Sequence, residues 1–410
     1  MLIQRGYKTE MDPNKAQTEM LRRHTGAARF AYNWALAKKD EIYRESGKSL
    51  NAFSLNKELT KLKQTECPWL KEERINVSVL QSAFRNLCRA YDNWFRAMKK
   101  GDRRVKHPKF HSRFNSKQSF TMYGSLHVEE SRVKLPNIGW IKLKERGYLP
   151  TNDVRMLAMH VSSSAGRWYV TAQVEEEIEV LPASGPPMGV DLGINPLAVC
   201  SDGTVFQNPK ALDSAQRKLA RLQRQHARKQ KGSSSRAKHT KKIARLHARV
   251  SNIRAHATHN ATTYIARDAN PTVLGIEDLN VLGMLSNSRL ARAVADANMH
   301  EFKRQLSYKA EWNGIRVVKA DRWYPSSKTC SSCGSVKGDL SRSDRVYMCA
   351  KCGMVLDRDL NAAVNLRNLA AKPTESINAC GGESSGPEDR TKLAPVKQEP
   401  TSEGEMGDLP

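Results

Sequence analysis

The chain has 410 residues and carries 68 Lys and Arg against 42 Asp and Glu, which gives a formal charge of +26. It contains no run of about 18 apolar residues and no apolar signal core at its N-terminus, so we expect neither a membrane span nor a secretory leader. Repulsion among so many positive charges is tolerated most easily when a polyanion is bound, and the composition therefore predicts a soluble, cytoplasmic protein that binds nucleic acid.

The first hundred residues are predicted to be mostly helical after one short strand. Residues 2–8 are expected to form the strand, and Asp12 with Pro13 is expected to open the first helix, with Asp12 as its cap. Further along, apolar residues recur at helical spacing: Leu80, Phe84, Leu87, Cys88, Tyr91, Trp94 and Phe95. This spacing predicts one apolar stripe on an amphipathic helix.

Beyond the helical region the apolar period changes from helical spacing to two. Residues 126–128 and 133–135 bracket a turn, and residues 159–161 are expected to pair with residues 168–170 across the sequence SSSAGR. These segments predict a small antiparallel β-barrel or sheet, completed by the N-terminal strand.

Strands predicted at 188–200 and 272–277 flank a strongly basic segment. Residues 214–267 contain fifteen Lys and Arg and no Asp or Glu, and residues 229–235 divide the segment into two helices. A solvated helical pair is the alternative, but fifteen cations without an acid would repel one another, so we favour contact with nucleic acid. The cations expected to make this contact are Arg217, Arg221, Arg224, Arg228, Lys241, Lys242, Arg245 and Arg249.

Two C-x-x-C pairs, separated by fifteen residues, follow the last predicted strand. They consist of Cys330, Cys333, Cys349 and Cys352, and a glycine follows each pair. Such pairs bring four thiolates to tetrahedral distance around Zn²⁺, whereas unligated core cysteines or a redox pair would not need the doubled spacing. We therefore predict one structural zinc ion, with no coordination position left for zinc chemistry.

Three acids lie in apolar surroundings where a strand ends or a helix begins. They are Asp191 in VDLG, Glu277 in LGIEDL and Asp359 in DRDLNAAVN. Taken singly, an acid at a strand end is usually a turn or cap residue. Converging carboxylates, however, are ligands that Mg²⁺ prefers, and two divalent cations about 4 Å apart promote hydrolysis of a phosphodiester. A central sheet could bring these three acids together at such a site.

These motifs together resemble the RuvC-like domain of the TnpB nucleases, which are encoded by transposons and related to compact type V CRISPR effectors. The motifs are DLGI at 191–194, Glu277, the paired cysteines, and DRDLNAA at 357–363. Further agreement comes from GAARFAYN at 26–33, PWL at 68–70 and PSSKT at 325–329. The resemblance covers roughly residues 2–370. It favours Asp359 as the third acid and makes Asp357 a cap or supporting residue.

The resemblance implies an α+β multidomain protein. Its parts would be an RNase H-like (RuvC) nuclease domain with an inserted zinc ribbon, a small antiparallel β-barrel called the wedge, and a helical recognition lobe. The implied boundaries are residues 1–11 plus 107–182 for the wedge, 12–106 for the helical recognition domain, 187–326 plus 354–371 for the nuclease domain, and 327–353 for the zinc ribbon. Residues 372–410 lie beyond the resemblance and are expected to form a tail. The tail holds eight acids, four bases and five prolines, which predicts disorder.

The resemblance also implies an RNA-guided DNA endonuclease of a transposable element. Asp191, Glu277 and Asp359 would bind two catalytic Mg²⁺ ions, and a noncoding guide RNA similar to an omega RNA would direct cleavage of double-stranded target DNA. The basic helices would hold the A-form guide and hybrid through their phosphates. The protein would be bacterial and would associate with the nucleoid when bound to DNA.

Cleavage would occur beside a short DNA motif, for which Gln81 and Thr121 are candidate readers. Gln can pair with adenine and Thr can contact a thymine methyl group, although ordinary helix and strand positions explain both residues equally well. Two other functions stay open. A nuclease-inactive RNA-guided binder or repressor would lack one of the three acids, and a transposase that joins DNA strands would not need the ribbon before the third acid.

Overall fold

The computed structural model describes residues 1–114, 117–151, 154–341 and 343–372. The predicted acidic tail, residues 372–410, lies outside these ranges except for Lys372. Within the described ranges, none of the helices combines the length and the apolar character that crossing a membrane requires.

An antiparallel sheet of seven strands contains the N-terminal strand and the predicted period-two segments. Its strands are β1 (Leu2–Asp12), β2 (Gln118–Met122), β3 (His127–Glu129), β4 (Arg132–Leu135), β5 (Gly139–Leu143), β6 (Arg155–Ser164) and β7 (Arg167–Glu177). They follow the order β2-β6-β7-β1-β5-β4-β3, so the N-terminal strand is central. Both predicted hairpins are confirmed, because Val128 pairs with Val133 and Val161 pairs with Val170.

The chain between β1 and β2 is mostly helical. Its helices are α1 (Lys15–Ser46), α2 (Ala52–Thr65), α3 (Trp69–Glu72) and α4 (Val77–Lys99). The predicted stripe of α4 is largely confirmed, since Leu80, Phe84 and Leu87 are fully buried in a cluster with residues of α1 and α2. Phe95 is 45% exposed, so the stripe extends beyond the core that it packs against.

The prediction that Asp12 caps the first helix is wrong. Asp12 is the last residue of β1 and pairs with Lys142 of β5, so this pairing extends the strand beyond its predicted end. Helix α1 begins at Lys15, and Asn14 is its cap. The Asn14 side chain accepts a hydrogen bond from the Gln17 amide, and the Gln17 side chain accepts one from the Asn14 amide, which is a capping box.

A second sheet of five strands forms the centre of the carboxy-terminal half. Its strands are β8 (Met188–Leu192), β9 (Ala198–Cys200), β10 (Val205–Phe206), β11 (Val273–Glu277) and β12 (Arg316–Ala320). Their order is β10-β9-β8-β11-β12. Strands β8, β11 and β12 run parallel, whereas β9 is antiparallel to both β8 and β10.

Helices flank this second sheet. They are α5 (Ala211–Ala227), α6 (Ser234–Thr263) with a π-helical turn at Tyr264–Asp268, α7 (Val281–Ser286), α8 (Ala291–Ala297) and α9 (Met299–Trp312). The division of the basic segment into two helices is therefore confirmed. Ile276 of β11 packs in one core with Ile265 and with Phe302 and Leu306 of α9.

The described part of the chain ends with a small hairpin and a helix. The hairpin pairs β13 (Val346–Met348) with β14 (Val355–Asp357), and α10 (Arg358–Ala370) follows directly. Helix α10 lies against β8 and β11, the two central parallel strands of the second sheet.

Candidate functional site

Asp191 and Glu277 occupy matching positions on two neighbouring parallel strands. The register of β8 and β11 places Ile276 beside Val190, and the next residue of each strand is an acid. Successive side chains of a strand point to opposite faces, so both carboxylates project from the face opposite the buried Val190 and Ile276. Adjacent strands are about 4.8 Å apart, which keeps the two carboxylates close together.

Glycines on the same face allow α10 to lie directly on the sheet. Gly189 and Gly275 precede the two acids by two residues and therefore share their face. A Cβ atom at Gly189 would lie 2.0 Å from the carbonyl oxygen of Ala363, and one at Gly275 would lie 2.2 Å from that of Leu366. Any larger residue would push the helix away, so these glycines set the distance between α10 and the sheet.

Asp359 lies in the first turn of α10, on the side of the helix that faces the sheet. It precedes Ala363 by four residues, about one helical turn, and the backbone at Ala363 is in contact with Gly189. Its side chain is 17% exposed and interacts electrostatically with Asp191. The fold therefore brings the three predicted acids to one end of the two central strands.

The residues around Asp359 fix the start of the helix and offset its charge. Asp357 Oδ1 accepts hydrogen bonds from the backbone amides of Asp359 at 2.9 Å and Leu360 at 3.0 Å, which is the cap role expected for this residue. The guanidinium groups of Arg358 and Arg345 lie 3.2 Å and 3.7 Å from the Asp359 carboxylate. Arg345 comes from the segment between the two cysteine pairs.

Grouping these acids disfavours the ionised form of the Asp191 carboxyl. Burial raises the pKa of the Asp191 carboxyl well above its usual value, and the carboxylates of Glu277 and Asp359 raise it further. A bound divalent cation would reverse this effect on the pKa, because its positive charge stabilises the ionised carboxylate. The site therefore has the electrostatic character of a cation-binding site.

The spacing of the acids bears on how many ions they could hold. In the described ranges, the four cysteines are the one group of three or more candidate ligands whose donor atoms all lie within 4.8 Å of one another. The three carboxylates are therefore spaced more widely than the ligands of a single-ion cage. Two Mg²⁺ ions about 4 Å apart, each about 2.1 Å from its ligands, connect oxygens up to about 8 Å apart. Carboxylates spaced more widely than a single-ion cage are the kind of donors that such a pair would bind.

Buried polar side chains hold the loop before the ribbon against this site. The Ser326 hydroxyl donates a hydrogen bond of 2.5 Å to Glu277 Oε1, and Ser326 is 3% exposed. The Asn365 side chain donates to the carbonyl oxygens of Ser326 and Thr329, and the Asn361 side chain also donates to that of Thr329. Sequence reasoning assigned these residues no role, although the four-residue spacing of the asparagines places both on one face of α10.

The two cysteine pairs form a second candidate metal site. Its ligands are Cys330, Cys333, Cys349 and Cys352. The sulfur of Cys330 lies 3.6 Å from that of Cys352, and the sulfur of Cys333 lies 3.6 Å from that of Cys349. Tetrahedral coordination with Zn–S bonds of about 2.3 Å separates the sulfurs by about 3.8 Å, so the set fits one zinc ion. As expected, the glycine after each pair has a positive φ of 73°.

The pKa values of the Cys349 and Cys333 thiols are shifted in opposite directions. The Cys352 backbone amide lowers the pKa of the Cys349 thiol to about 6. The Ser335 amide acts in the same direction on Cys333, but burial and hydrogen bonds with the other cysteines outweigh it and raise the pKa of Cys333 to about 11. Zinc binding would ionise all four thiols and release the remaining protons.

The eight basic residues predicted to bind nucleic acid are all exposed; seven lie on α5 and α6, and Arg228 is the residue that caps the end of α5. Within the described ranges, none of them forms an ion pair with an acid. Asp296, which is 5% exposed, fastens both helices to the core. It accepts hydrogen bonds from the amides of Leu212 and Asp213 at the start of α5, and it forms an ion pair of 2.7 Å with Arg254 of α6. Sequence reasoning assigned Asp296 no such role.

The two candidate readers of a DNA motif lie on neighbouring elements and are both half-buried. Gln81 lies on α4, and Thr121 lies on β2 with its hydroxyl 3.0 Å from Nδ1 of His160. Burial lowers the pKa of His160 to about 4, so its ring is neutral at pH 7. This hydrogen bond engages the Thr121 hydroxyl and not its methyl group, which is the part that would contact a thymine methyl.

Three family models match the chain. Residues 1–48 match a model described as a helix-turn-helix domain, residues 170–288 match one described as a probable transposase, and residues 300–366 match the Cas12f1-like TNB domain. In this chain, however, the first of these segments consists of strand β1 and the single helix α1.

Relatives match over nearly the whole chain. A protein of Streptomyces pristinaespiralis, named "Putative RNA-guided DNA endonuclease", is 36% identical over 97% of this chain and 96% of its own length. InsQ of Escherichia coli K12 carries the same description and is 33% identical over 96% of this chain and 97% of its own length. A solved Cas12f1–sgRNA–target DNA complex aligns with 86% of this chain and 82% of its own chain, with a TM-score of 0.49 and 14% identity. The chain belongs to the TnpB family of IS605-type transposon proteins.

Proposed function

We propose that this protein is an RNA-guided DNA endonuclease of a transposable element, which hydrolyses DNA phosphodiesters with two Mg²⁺ ions beside a short DNA motif. The observation that carries this proposal is the shared face of Asp191 and Glu277, with Asp359 held over it by the close packing of α10. The names of the two full-length relatives point to the same activity.

The chain's own residues would prepare the site for hydrolysis. Asp191, Glu277 and Asp359 would hold the metal ions, which when bound activate water and stabilise the departing oxygen. Ser326 would orient Glu277 through its hydrogen bond, leaving the second carboxylate oxygen for a ligand role. Arg345 would attract the DNA phosphate, because it lies beside Asp359 and is largely exposed.

The finer architecture of the protein is part of the proposal. Strand order β10-β9-β8-β11-β12, with antiparallel and parallel halves, supports an RNase H-like nuclease domain. Side chains from all seven strands of the first sheet pack against a single hydrophobic core, which supports a wedge-like barrel. We retain the domain boundaries given above, with the zinc ribbon inserted between β12 and α10.

The proposed partners are a noncoding guide RNA and double-stranded target DNA. The exposed cations of α5 and α6 support the guide-binding role, because nothing in the described ranges neutralises them. The two full-length relatives come from bacteria, which supports action in the bacterial cytoplasm on nucleoid DNA.

The two other functions are less well supported. A nuclease-inactive binder would lack one of the three acids, and all three are present here. A strand-joining transposase shares the three-acid chemistry, but the two full-length relatives are described as endonucleases. An assay that detects both cleaved and joined DNA separates the three functions.

The test is cleavage of a guide-matched duplex by the purified protein with its copurifying RNA. With Mg²⁺ we expect cleavage without joining, and Asp191→Ala should abolish it while the RNA remains bound, because only a metal ligand is lost. The matched control is Asp268→Ala, which removes an exposed acid that pairs only with Arg267 among the described residues. Cleavage by Asp191→Ala at the rate of the unmodified protein would refute the proposal.

A further inference from the structure

An exposed tryptophan lies on the loop between β12 and the zinc ribbon. Trp323 is 84% exposed, although an indole is usually largely buried in folded proteins. Within the described parts of the chain, no aromatic ring or cationic group stacks on it. The function proposed above does not explain why this side chain faces solvent.

The loop is fixed to the candidate catalytic centre on both sides of the tryptophan. Ala320 at the end of β12 lies beside Glu277 in the sheet, and Trp323 follows three residues later. Three residues beyond Trp323, the Ser326 hydroxyl donates its hydrogen bond to Glu277. Because three residues span at most about 11 Å, the Trp323 backbone lies within about that distance of both anchor points.

Local hydrogen bonds give the loop a defined conformation. The Asp321 side chain accepts a hydrogen bond of 2.8 Å from the Trp323 amide, and the Asp321 carbonyl accepts one from Tyr324. The Tyr324 carbonyl accepts a hydrogen bond of 2.8 Å from the amide of the buried Ser326. An indole presented on an ordered backbone loses little conformational freedom when a ligand binds.

The surroundings of the indole suit a nucleotide. An open surface depression of about 430 Å³ is lined by Asp278, Lys319, Ala320, Asp321, Arg322 and Trp323. Lys319 and Arg322 are exposed cations, and Arg322 lies 3.7 Å from the Asp278 carboxylate. A nucleotide of a single strand offers an aromatic face and a phosphate, which an indole and neighbouring cations complement.

We propose that the Trp323 indole stacks on a base of single-stranded DNA beside the scissile phosphate, while Lys319 and Arg322 contact the adjoining phosphate. This inference rests on the proposed endonuclease function and names a substrate-binding residue within it. The stacked base lies close to the cut, because the Trp323 backbone lies within about 11 Å of both anchor points beside Glu277. Every base has a π face, so this contact positions the strand without reading its sequence.

The first test is photocrosslinking, because it does not depend on cleavage. The Asp191→Ala protein, loaded with its guide RNA, is bound to target DNA that carries 5-iododeoxyuridine at successive positions around the cut. We expect one or two positions to crosslink to Trp323, as mapped by mass spectrometry. Crosslinks that map only to other residues, or none at Trp323, would overturn the stacking proposal even if the unmodified protein cleaves DNA.

The second test is single-turnover cleavage by the complete protein–RNA complex. Trp323→Ala should slow cleavage about 10- to 100-fold at unchanged guide binding, and Trp323→Phe should restore most of the rate because it keeps an aromatic face. The matched control, Phe53→Ala, removes another exposed aromatic residue, which lies on α2. A Trp323→Ala rate equal to that of the control contradicts the proposal, whereas absence of cleavage in every protein contradicts the endonuclease function instead.

Discussion

Replacing Gly189 by alanine tests how the fold assembles the candidate catalytic centre. The new Cβ would lie 2.0 Å from the Ala363 carbonyl oxygen and 2.4 Å from the Arg367 amide nitrogen, and both are backbone atoms of α10. Real Cβ contacts essentially never fall below 3.0 Å, so the helix has to move away by about 1 Å. Overpacking of this size costs about 1–3 kcal/mol of folding free energy.

The catalytic effect should exceed the effect on stability. Asp359 moves with α10, and a misplacement of about 1 Å can lower a rate about 100-fold. We therefore expect Gly189→Ala to retain its guide RNA and zinc but to cleave a guide-matched duplex at least about 100-fold more slowly. The matched control is Gly6→Ala in β1, whose new Cβ would have an ordinary contact of 3.5 Å with Thr171.

Single-turnover cleavage, with RNA and zinc content measured on the same samples, gives the result. Cleavage by Gly189→Ala at the control rate would refute the claim that close packing of α10 positions Asp359. Loss of bound RNA or zinc as well as cleavage would refute it too, because the change would then disrupt the protein generally.

Three further predictions concern zinc, charge and pH. Cys330→Ser should lower the zinc content and the temperature of the unfolding midpoint, because it removes one of the four zinc ligands. The control, Cys67→Ser, should leave the zinc content unchanged, since Cys67 lies outside the cysteine cluster. A full complement of zinc in Cys330→Ser, measured by elemental analysis, would contradict the zinc ribbon. Replacing Arg245 and Arg249 together by alanine should weaken the salt dependence of guide binding, because two phosphate contacts are lost. The slope of the logarithm of the binding constant against the logarithm of the salt concentration should fall in magnitude by about 1.4. An unchanged slope would contradict contact between these arginines and RNA. Because its pKa is raised, Asp191 binds more protons in the folded protein than in the unfolded chain. The stability that protonated Asp191 contributes is therefore lost as the pH rises from the pKa of the unfolded chain towards that of the folded protein. In magnesium-free buffer, Asp191→Asn should therefore melt above the unmodified protein at pH 7, with a gap that narrows towards pH 4, and an equal or lower midpoint at pH 7 would contradict this sign.

Much of the candidate site is visible in the sequence because its signals are local. The cysteine spacing and the positions of Asp191, Glu277 and Asp359 at the ends of elements depend only on near neighbours in the chain. The family resemblance added their common assignment. The register that sets Asp191 beside Glu277 required the structure, because the two strands lie about eighty residues apart in sequence.

The features that sequence reasoning missed depend on distant partners. Asp12 ends a strand because it pairs with β5, and the residues next to Asp12 in the sequence do not indicate that pairing. Asp296 becomes an anchor for α5 and α6 only when those helices fold against it. Likewise, Ser326 meets Glu277 through a loop whose course is fixed by asparagines of α10. Tertiary contacts decide each of these cases.

The most direct test of the central claim is the position of metal ions in the protein–guide–target complex. Crystals of the complex grown or soaked with Mn²⁺ in place of Mg²⁺ reveal the ions by anomalous scattering. We predict two ions about 4 Å apart, bound by Asp191, Glu277 and Asp359. Ions bound elsewhere, or a complex with DNA in place and no ion on these three carboxylates, would contradict the claim that they form a two-metal nuclease site.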